Sequence, residues 1–122
     1  MAGLFGGGDV VVGHVNDPPM PGYTDILIDR STVYGNEFRL SKYTRVGAIS
    51  RFVAKADAQM DIKCEFRKRV MDLRARYLAG EKLRFLCHCA PRACHGSWYR
   101  DVCIGRVKVP EKPMFKLGSK LE

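Results

Sequence analysis

Short runs of apolar and β-branched residues along the chain predict three β-strands. The runs cover residues 9–15, 25–28 and 82–88. Turn-forming residues bound them, most clearly the string of breakers from Asn16 to Gly22 that ends the first run. The strands are short, so they predict a small sheet that must gain its stability by packing against other elements.

Two longer segments between the second and third strands show the apolar spacing of amphipathic helices. They cover residues 45–58 and 61–79. Asp61 stands where an N-cap is expected and Gly80 where a glycine ends a helix. A third helix is predicted over residues 94–104, after the last strand. Because parallel neighbours need a crossover, this order predicts an α/β fold with a small, mainly parallel sheet flanked by about three helices.

The length of 122 residues fits one domain. We expect residues 1–8 to be a flexible N-terminal segment, residues 9–104 to form the α/β domain and residues 105–122 to be an extended C-terminal tail. No apolar run approaches the roughly 20 residues of a membrane span, and the first residues lack the basic start of a secretory signal. The cytoplasm is therefore the expected location.

The net charge of +8 is concentrated in the middle of the chain, because residues 39–84 hold 13 of the 21 basic residues. One face of the second predicted helix carries a basic stripe that includes Lys63, Arg67, Lys68 and Arg74. Such a stripe suits a phosphate backbone or an acidic protein surface, so nucleic acid and an acidic protein are candidate partners. It is also what an ordinary solvated helix face looks like. Both interpretations stay open.

The chemically densest stretch runs from Cys87 to Gly96 and holds three of the five cysteines and two of the three histidines. The odd number of cysteines and the neighbouring histidines favour reduced thiols over a disulfide framework. The stretch lies where the third strand passes into the third helix. In open α/β sheets, ligands bind outside the carboxyl ends of strands, so this junction is a candidate site.

Three interpretations of this stretch compete. Zinc prefers four sulfur or nitrogen ligands, and Cys87, Cys89, Cys94 and His95 supply the types, although the first two stand closer in sequence than zinc ligands usually do. In the second interpretation, Cys94 is a reactive thiolate at a helix N-terminus, His95 moves a proton, and amides near Gly96 hold an anion. In the third, the cysteines are small buried residues and the histidines satisfy backbone groups.

A second polar stretch, residues 29–38, follows the second strand and carries related chemistry. Arg30 offers a forked guanidinium to a phosphate or carboxylate, while Gly35 and Asn36 allow the backbone to approach a ligand closely. The simpler interpretation is a polar turn in which Arg30 pairs with a nearby aspartate.

Taken together, the two stretches resemble an uncharacterised family of small phage and bacterial proteins, a domain of unknown function. The family pattern is a strand running into Tyr-Ile-Gly-Arg, then Gly-Asn-Pro-Phe, and finally Cys-Trp-Cys-x-Pro-x-x-Cys-His-Gly. The counterparts here are Leu27-Ile28-Asp29-Arg30, Gly35-Asn36-Glu37-Phe38 and Cys87-His88-Cys89-Ala90-Pro91-Arg92-Ala93-Cys94-His95-Gly96. The resemblance implies a compact α/β domain, a phage or prophage origin, and a single site formed by Arg30, Gly35, Asn36, Cys94 and His95.

This chain departs from the family pattern at three positions. Asp29 replaces a glycine, Glu37 a proline and His88 a tryptophan. The two acidic residues add negative charge to the first loop, which disfavours a phosphate ligand there or favours a different one.

The leading hypothesis is a site for a nucleotide-related or anionic small molecule. It assigns ligand binding to Arg30, Gly35, Asn36 and Gly96, and a catalytic role to Cys94 and His95 if the protein is an enzyme. The first alternative is a non-enzymatic basic phage-type module that contacts nucleic acid or a host protein. The second is a zinc-stabilised module, and no other cofactor is expected.

Overall fold

The computed structural model of the protein describes residues 8–39, 41–90, 92–107, 109 and 115–116. The predicted flexible segment 1–8 and the predicted tail 105–122 lie mostly outside these residues. The described elements, in chain order, are β1 (Asp9–His14), β2 (Thr24–Leu27), α1 (Arg45–Gln59), β3 (Ile62–Lys63), α2 (Glu65–Leu78), β4 (Lys82–Cys87), α3 (Gly96–Cys103) and β5 (Phe115–Lys116).

The main sheet has three strands in the order β1-β4-β2, and both strand pairs are parallel. His14 lies opposite Cys87, and Leu27 lies opposite Leu86. The carboxyl ends of all three strands therefore meet at one edge of the sheet. The predicted α/β class with a small parallel sheet and three helices is confirmed.

The core lies between one face of this sheet and the helices. Alternation along β4 directs Leu83, Phe85 and Cys87 into the core, where each is at most 2% exposed. Arg84 stands between Leu83 and Phe85 in the strand, so its side chain points to the opposite face of the sheet. There it forms an ion pair with Asp25 at 2.7 Å. From the helices the core receives chiefly Phe52, Ala56, Phe66, Val70, Leu73, Trp98, Tyr99 and Val102.

Helix α1 begins as predicted, because the Thr44 hydroxyl accepts a hydrogen bond from the Gly47 N–H at 3.0 Å. Helix α2 begins at Glu65 instead of Asp61. The chain is extended at β3, which pairs in parallel with β5, and it stays extended at the N-cap Cys64. Asp61 is therefore not a cap, and β3 and β5 are two short strands that the sequence pattern does not predict.

The predicted basic stripe is not a continuous exposed face. Arg67 is only 6% exposed, and its guanidinium donates to the Met60 carbonyl at 2.7 Å, so its prediction as an exposed basic residue is wrong. Arg69 and Arg76 lie in ion pairs with Glu65 and Glu81. The predicted nucleic-acid-binding residues that keep an exposed or half-buried side chain are Lys63, Lys68 and Arg74. Within the described ranges, no helix has both the length and the apolar character that a membrane span requires.

Candidate functional site

A pocket of about 390 Å³ opens at the carboxyl edge of the sheet, beside the ends of β2 and β4. Its wall combines the loop after β2, the first turns of α1 and the loop between β4 and α3. The lining residues are Asp29, Arg30, Asn36, Phe38, Arg39, Ser41, Arg45, Ala48, Ile49, Cys87, His88, Cys89, Ala93, Cys94 and His95. The two stretches singled out in the sequence, which lie some 60 residues apart along the chain, therefore share one pocket.

The loop after β2 is held in a fixed shape by its own hydrogen bonds. The Asp29 carbonyl accepts from the Thr32 N–H at 3.1 Å, and the Thr32 carbonyl accepts from the Gly35 N–H at 3.2 Å. Gly35 packs so closely that a Cβ there would lie 2.6 Å from Cα of Arg30. A side chain at position 35 would thus push on the backbone that carries Arg30.

Asn36 attaches this loop to α1. Its amide nitrogen donates to the Ala48 carbonyl at 3.1 Å, and its amide oxygen accepts from the Phe38 N–H at 2.8 Å. Asn36 also lines the pocket, but these two bonds make it chiefly a residue that positions the wall. The predicted ligand-binding glycines play a similar part: neither Gly35 nor Gly96 lines the pocket, and a Cβ at Gly96 would lie 2.9 Å from Val12 and 3.3 Å from the Cys94 sulfur.

His95 is buried beneath the loop after β2 and joins it to α3. Nε2 of His95 lies 2.7 Å from the Ile28 carbonyl and 3.1 Å from the Tyr34 carbonyl. Both partners are acceptors, so Nε2 carries the proton and donates to them. Burial lowers the pKa of His95, which keeps the ring neutral at pH 7.

The other ring nitrogen of His95, Nδ1, is an acceptor that the protein leaves unused. It has no hydrogen-bond partner in the described part of the chain, whereas every fully buried side-chain nitrogen or oxygen there has one. Nδ1 therefore keeps contact with solvent, and His95 is one of the residues that line the pocket. An unprotonated Nδ1 is a hydrogen-bond acceptor, so the pocket offers a ligand one neutral acceptor beside its arginines.

The state of His95 makes stability depend on pH. Below about pH 6.5, His95 binds a proton more readily in the unfolded chain than in the folded protein. The free energy of unfolding therefore decreases as the pH is lowered, by up to about 1.4 kcal/mol per pH unit. Chemical denaturation between pH 7.5 and 5 measures this slope. We expect His95→Gln, whose amide can still donate to one carbonyl, to flatten this slope. Equal slopes in wild type and His95→Gln would contradict this assignment.

Cys87 and Cys94 are in direct contact. Their sulfur atoms lie 3.1 Å apart, and both side chains are nearly buried against the pocket. Backbone N–H groups point at both sulfurs: Ala90 donates to Cys87 at 3.4 Å and Gly96 to Cys94 at 3.3 Å. All five cysteines are free thiols in the structure.

The sequence predicts the thiolate at Cys94, but the hydrogen bonds favour Cys87. The contact between the two thiols, aided by the N–H groups of Cys89 and Ala90, lowers the pKa of Cys87. The same contact, together with burial, raises the pKa of Cys94. Because α3 begins at Gly96, Cys94 precedes the helix instead of starting it as predicted.

Three arginines give the pocket its positive character. Arg30 and Arg39 are exposed, and neither forms an ion pair with a carboxylate in the described residues. The simpler interpretation of Arg30, a pairing with a nearby aspartate, is thus wrong. Arg45 donates to the Ala93 carbonyl at 3.3 Å and so connects α1 to the cysteine loop.

One carboxylate, Asp29, lies at the same pocket, and it is already engaged. Hydrogen bonds from Ser31 lower the pKa of Asp29, and its second oxygen lies 3.1 Å from Nε2 of His88. The ring of His88 in turn contacts that of His14 with centroids 6.1 Å apart. His14 itself has an ordinary structural bond, because its Nδ1 accepts from the Asn16 N–H at 3.0 Å. Asp29 and His88 thus partner each other at the rim of the pocket.

The zinc ligands predicted as an alternative do not gather around one point. In the described part of the chain, no group of three or more His, Cys, Asp or Glu side chains is arranged as metal ligands would be. Cys87 and Cys94 are adjacent, but Nε2 of His95 is directed at backbone carbonyls.

Among the polar residues that line the pocket, Arg39, Ser41 and Arg45 lie outside the two stretches singled out in the sequence. They belong to the segment that continues the loop after β2 up to the start of α1. In the sequence, these residues are marked only by two arginines that follow the 29–38 stretch. They do not form a dense motif, so the sequence pattern does not single them out.

Comparison with known proteins identifies a family for this chain. A family model described as a domain of unknown function, DUF4326, matches residues 14–105, a span that contains both pocket-forming loops. No curated protein and no solved structure matches the chain. Since the matched span is well over half of the 122 residues, the chain belongs to the DUF4326 family of domains of unknown function.

Proposed function

We propose that the protein binds a phosphorylated small molecule of the nucleotide class in the pocket at the carboxyl edge of the sheet. The observation that carries the proposal is the pair Arg30 and Arg39, which line the pocket without a carboxylate partner in the described residues. Arginine binds phosphate through two parallel hydrogen bonds, and an arginine without a protein partner keeps them for a ligand.

The other walls of the pocket support an organic ligand over a bare ion. Phe38, Ala48 and Ile49 provide an apolar surface on the α1 side. The volume of about 390 Å³ lies within the range of small-molecule sites. Accessible Nδ1 of His95 adds an acceptor for a hydroxyl or amino group. A molecule with an anionic end, an apolar ring and a hydrogen-bond donor would use all three features.

A catalytic role belongs to the proposal as its second part. Neutral His95 lines the pocket and can accept a proton at Nδ1, and Cys87 replaces Cys94 as the candidate thiolate. Both residues line the pocket with the arginines. A search for turnover of the bound molecule, compared between wild type and His95→Gln, tests this part separately from binding.

Isothermal titration calorimetry with inorganic phosphate, adenosine and the adenine and guanine mono-, di- and triphosphates tests binding. We expect at least one nucleotide to bind and adenosine not to bind. Arg30→Ala should weaken the nucleotide about tenfold or more, because a charge-assisted hydrogen bond contributes roughly 1.5–3 kcal/mol.

The matched control for this experiment is Arg92→Ala. Arg92 is an exposed arginine of the cysteine loop that does not line the pocket, so its removal changes the net charge equally. If Arg30→Ala and Arg92→Ala weaken nucleotide binding equally, the loss of affinity comes from long-range charge alone. That result would contradict a specific site at Arg30. Equal binding of adenosine and its phosphates would contradict the role of the arginines.

The two alternatives remain separate proposals with their own tests. A basic module would bind oligonucleotides or an acidic protein with loss on Lys68→Glu, although the burial of Arg67 reduces the face available to it. A zinc-stabilised module would purify with stoichiometric metal and unfold on chelation. The phage or prophage origin and the cytoplasmic location also stay predictions.

A further inference from the structure

The contact between two thiols at the floor of the pocket has a chemical consequence that does not depend on the ligand. We propose that Cys87 and Cys94 form a reversible redox pair, in which a peroxide converts the two thiols to an intramolecular disulfide. The sulfur atoms lie 3.1 Å apart, so a shift of about 1 Å brings them to the bonding distance of a disulfide. This is a modification site built into the wall of the pocket.

The positions of the two residues favour a bond between them. Cys87 is the last residue of β4, whereas Cys94 lies two residues before α3, in the loop that joins the two elements. A small movement of that loop is enough to join the sulfurs. Arg45 holds the far end of the loop through the Ala93 carbonyl, which keeps Cys94 over Cys87.

The other cysteines do not have this arrangement. Cys103 is 3% exposed, and burial raises the pKa of its thiol to about 12. The Cys64 thiol donates to the Gln59 carbonyl at 3.6 Å, in a different part of the fold. Cys89 also lines the pocket, but no sulfur contact joins it to another cysteine in the described residues. Cys87 and Cys94 are therefore the pair that oxidation should select.

The reaction has two balanced steps. In the first, the Cys87 thiolate attacks one oxygen of hydrogen peroxide, the O–O bond breaks, and a sulfenic acid forms with release of hydroxide. In the second, the sulfur of Cys94 attacks the sulfenic sulfur, the S–S bond forms, the S–O bond breaks, and the thiol proton leaves with the oxygen as water. Two thiols are oxidised and one peroxide is reduced, and a dithiol reductant reverses the change.

We place the first step at Cys87. Cys87 lines the pocket, and its sulfur accepts a hydrogen bond from the Ala90 N–H at 3.4 Å and contacts the Cys94 sulfur. The arginines around the pocket favour a thiolate there. Cys94 then acts as the resolving thiol, because its sulfur lies 3.1 Å from that of Cys87.

The test counts free thiols by maleimide labelling and intact mass, before and after one equivalent of hydrogen peroxide. We expect the full-length protein to fall from five labelled thiols to three, to return to five with dithiothreitol, and to yield a Cys87–Cys94 linked peptide. Cys89→Ser is the matched control and should also lose two. Cys94→Ser should form no internal disulfide but should trap a sulfenic acid at Cys87 with dimedone.

Each other result overturns the proposal. It fails if peroxide removes no thiols, if it removes all five at similar rates, or if the linked peptide joins Cys89 or another cysteine instead. It fails as well if purified protein holds zinc on these sulfurs and chelation is needed before any oxidation. Peptide mapping of the wild type decides the question even if a cysteine variant does not fold. Nucleotide binding by the reduced protein is measured separately, so loss of either proposal leaves the other intact.

Discussion

Gly35→Ala is expected to destabilise the protein by about 3 kcal/mol, at the upper end of what overpacking costs. The added Cβ would collide with backbone atoms of Asp29 and Arg30. It would lie only 2.6 Å from the Cα atom of Arg30. Backbone atoms cannot rotate away as the end of a side chain can, so the whole turn must shift. Urea denaturation measures the loss of stability, and the displaced Arg30 should lower nucleotide affinity in the same variant.

The control for this prediction is Gly47→Ala in the first turn of α1. There the Cβ would meet only the Thr44 hydroxyl, at 3.0 Å, and alanine favours the helix. We expect this variant to stay within about 1 kcal/mol of wild type. A Gly35→Ala protein as stable as the Gly47→Ala protein would show that the turn after β2 is not the rigid support inferred from its contacts.

Tyr99→Ala is expected to have a comparable or larger effect, about 3–5 kcal/mol. Tyr99 is 1% exposed and lies at the centre of the aromatic core, with its ring centroid 5.2 Å from that of Trp98 and 5.6 Å from that of Phe85. Truncation leaves a cavity among large side chains that cannot close. Denaturation by urea, with unchanged slope, measures the loss.

Tyr99→Phe separates the packing of the ring from its hydrogen bond. The hydroxyl donates to the Tyr34 carbonyl at 2.7 Å, the same carbonyl that His95 contacts. Removing the hydroxyl should lower the free energy of unfolding by only about 1 kcal/mol. Loss of this hydrogen bond should also loosen the loop that carries Arg30. Tyr99→Phe should therefore weaken nucleotide binding more than its small loss of stability suggests. Equal losses of stability in Tyr99→Phe and Tyr99→Ala would contradict the cavity argument.

Sequence patterns predict most of the fold because its elements are locally encoded. The β-branched run of β1, the apolar run of β4 and the capping Thr44 of α1 each determine their element through neighbours in sequence. The start of α2 depends on pairing between β3 and β5, more than 50 residues apart, and no local signal announces it. The burial of Arg67 likewise depends on the Met60 carbonyl at the end of α1.

The candidate site divides in the same way. That the loops at Arg30 and Cys94 share a pocket follows from topology, because parallel strands end at one edge. Which sulfur is the better candidate for a thiolate does not follow, because it depends on the contacts of Cys87 with Ala90 and Cys94, which form only in the folded protein. Nor does the pattern reveal that Nε2 of His95 is directed at backbone carbonyls.

The central claim is that the two loops form one binding site for a phosphorylated small molecule, and amide chemical shifts test it most directly. In a titration of the full-length protein with a nucleotide, we predict that the amides of residues 29–39 and 88–96 shift together with one dissociation constant. Arg30→Ala should raise the dissociation constant read from both loops about tenfold or more. Shifts in only one loop, or shifts confined to α2 around Lys68, would contradict the claim.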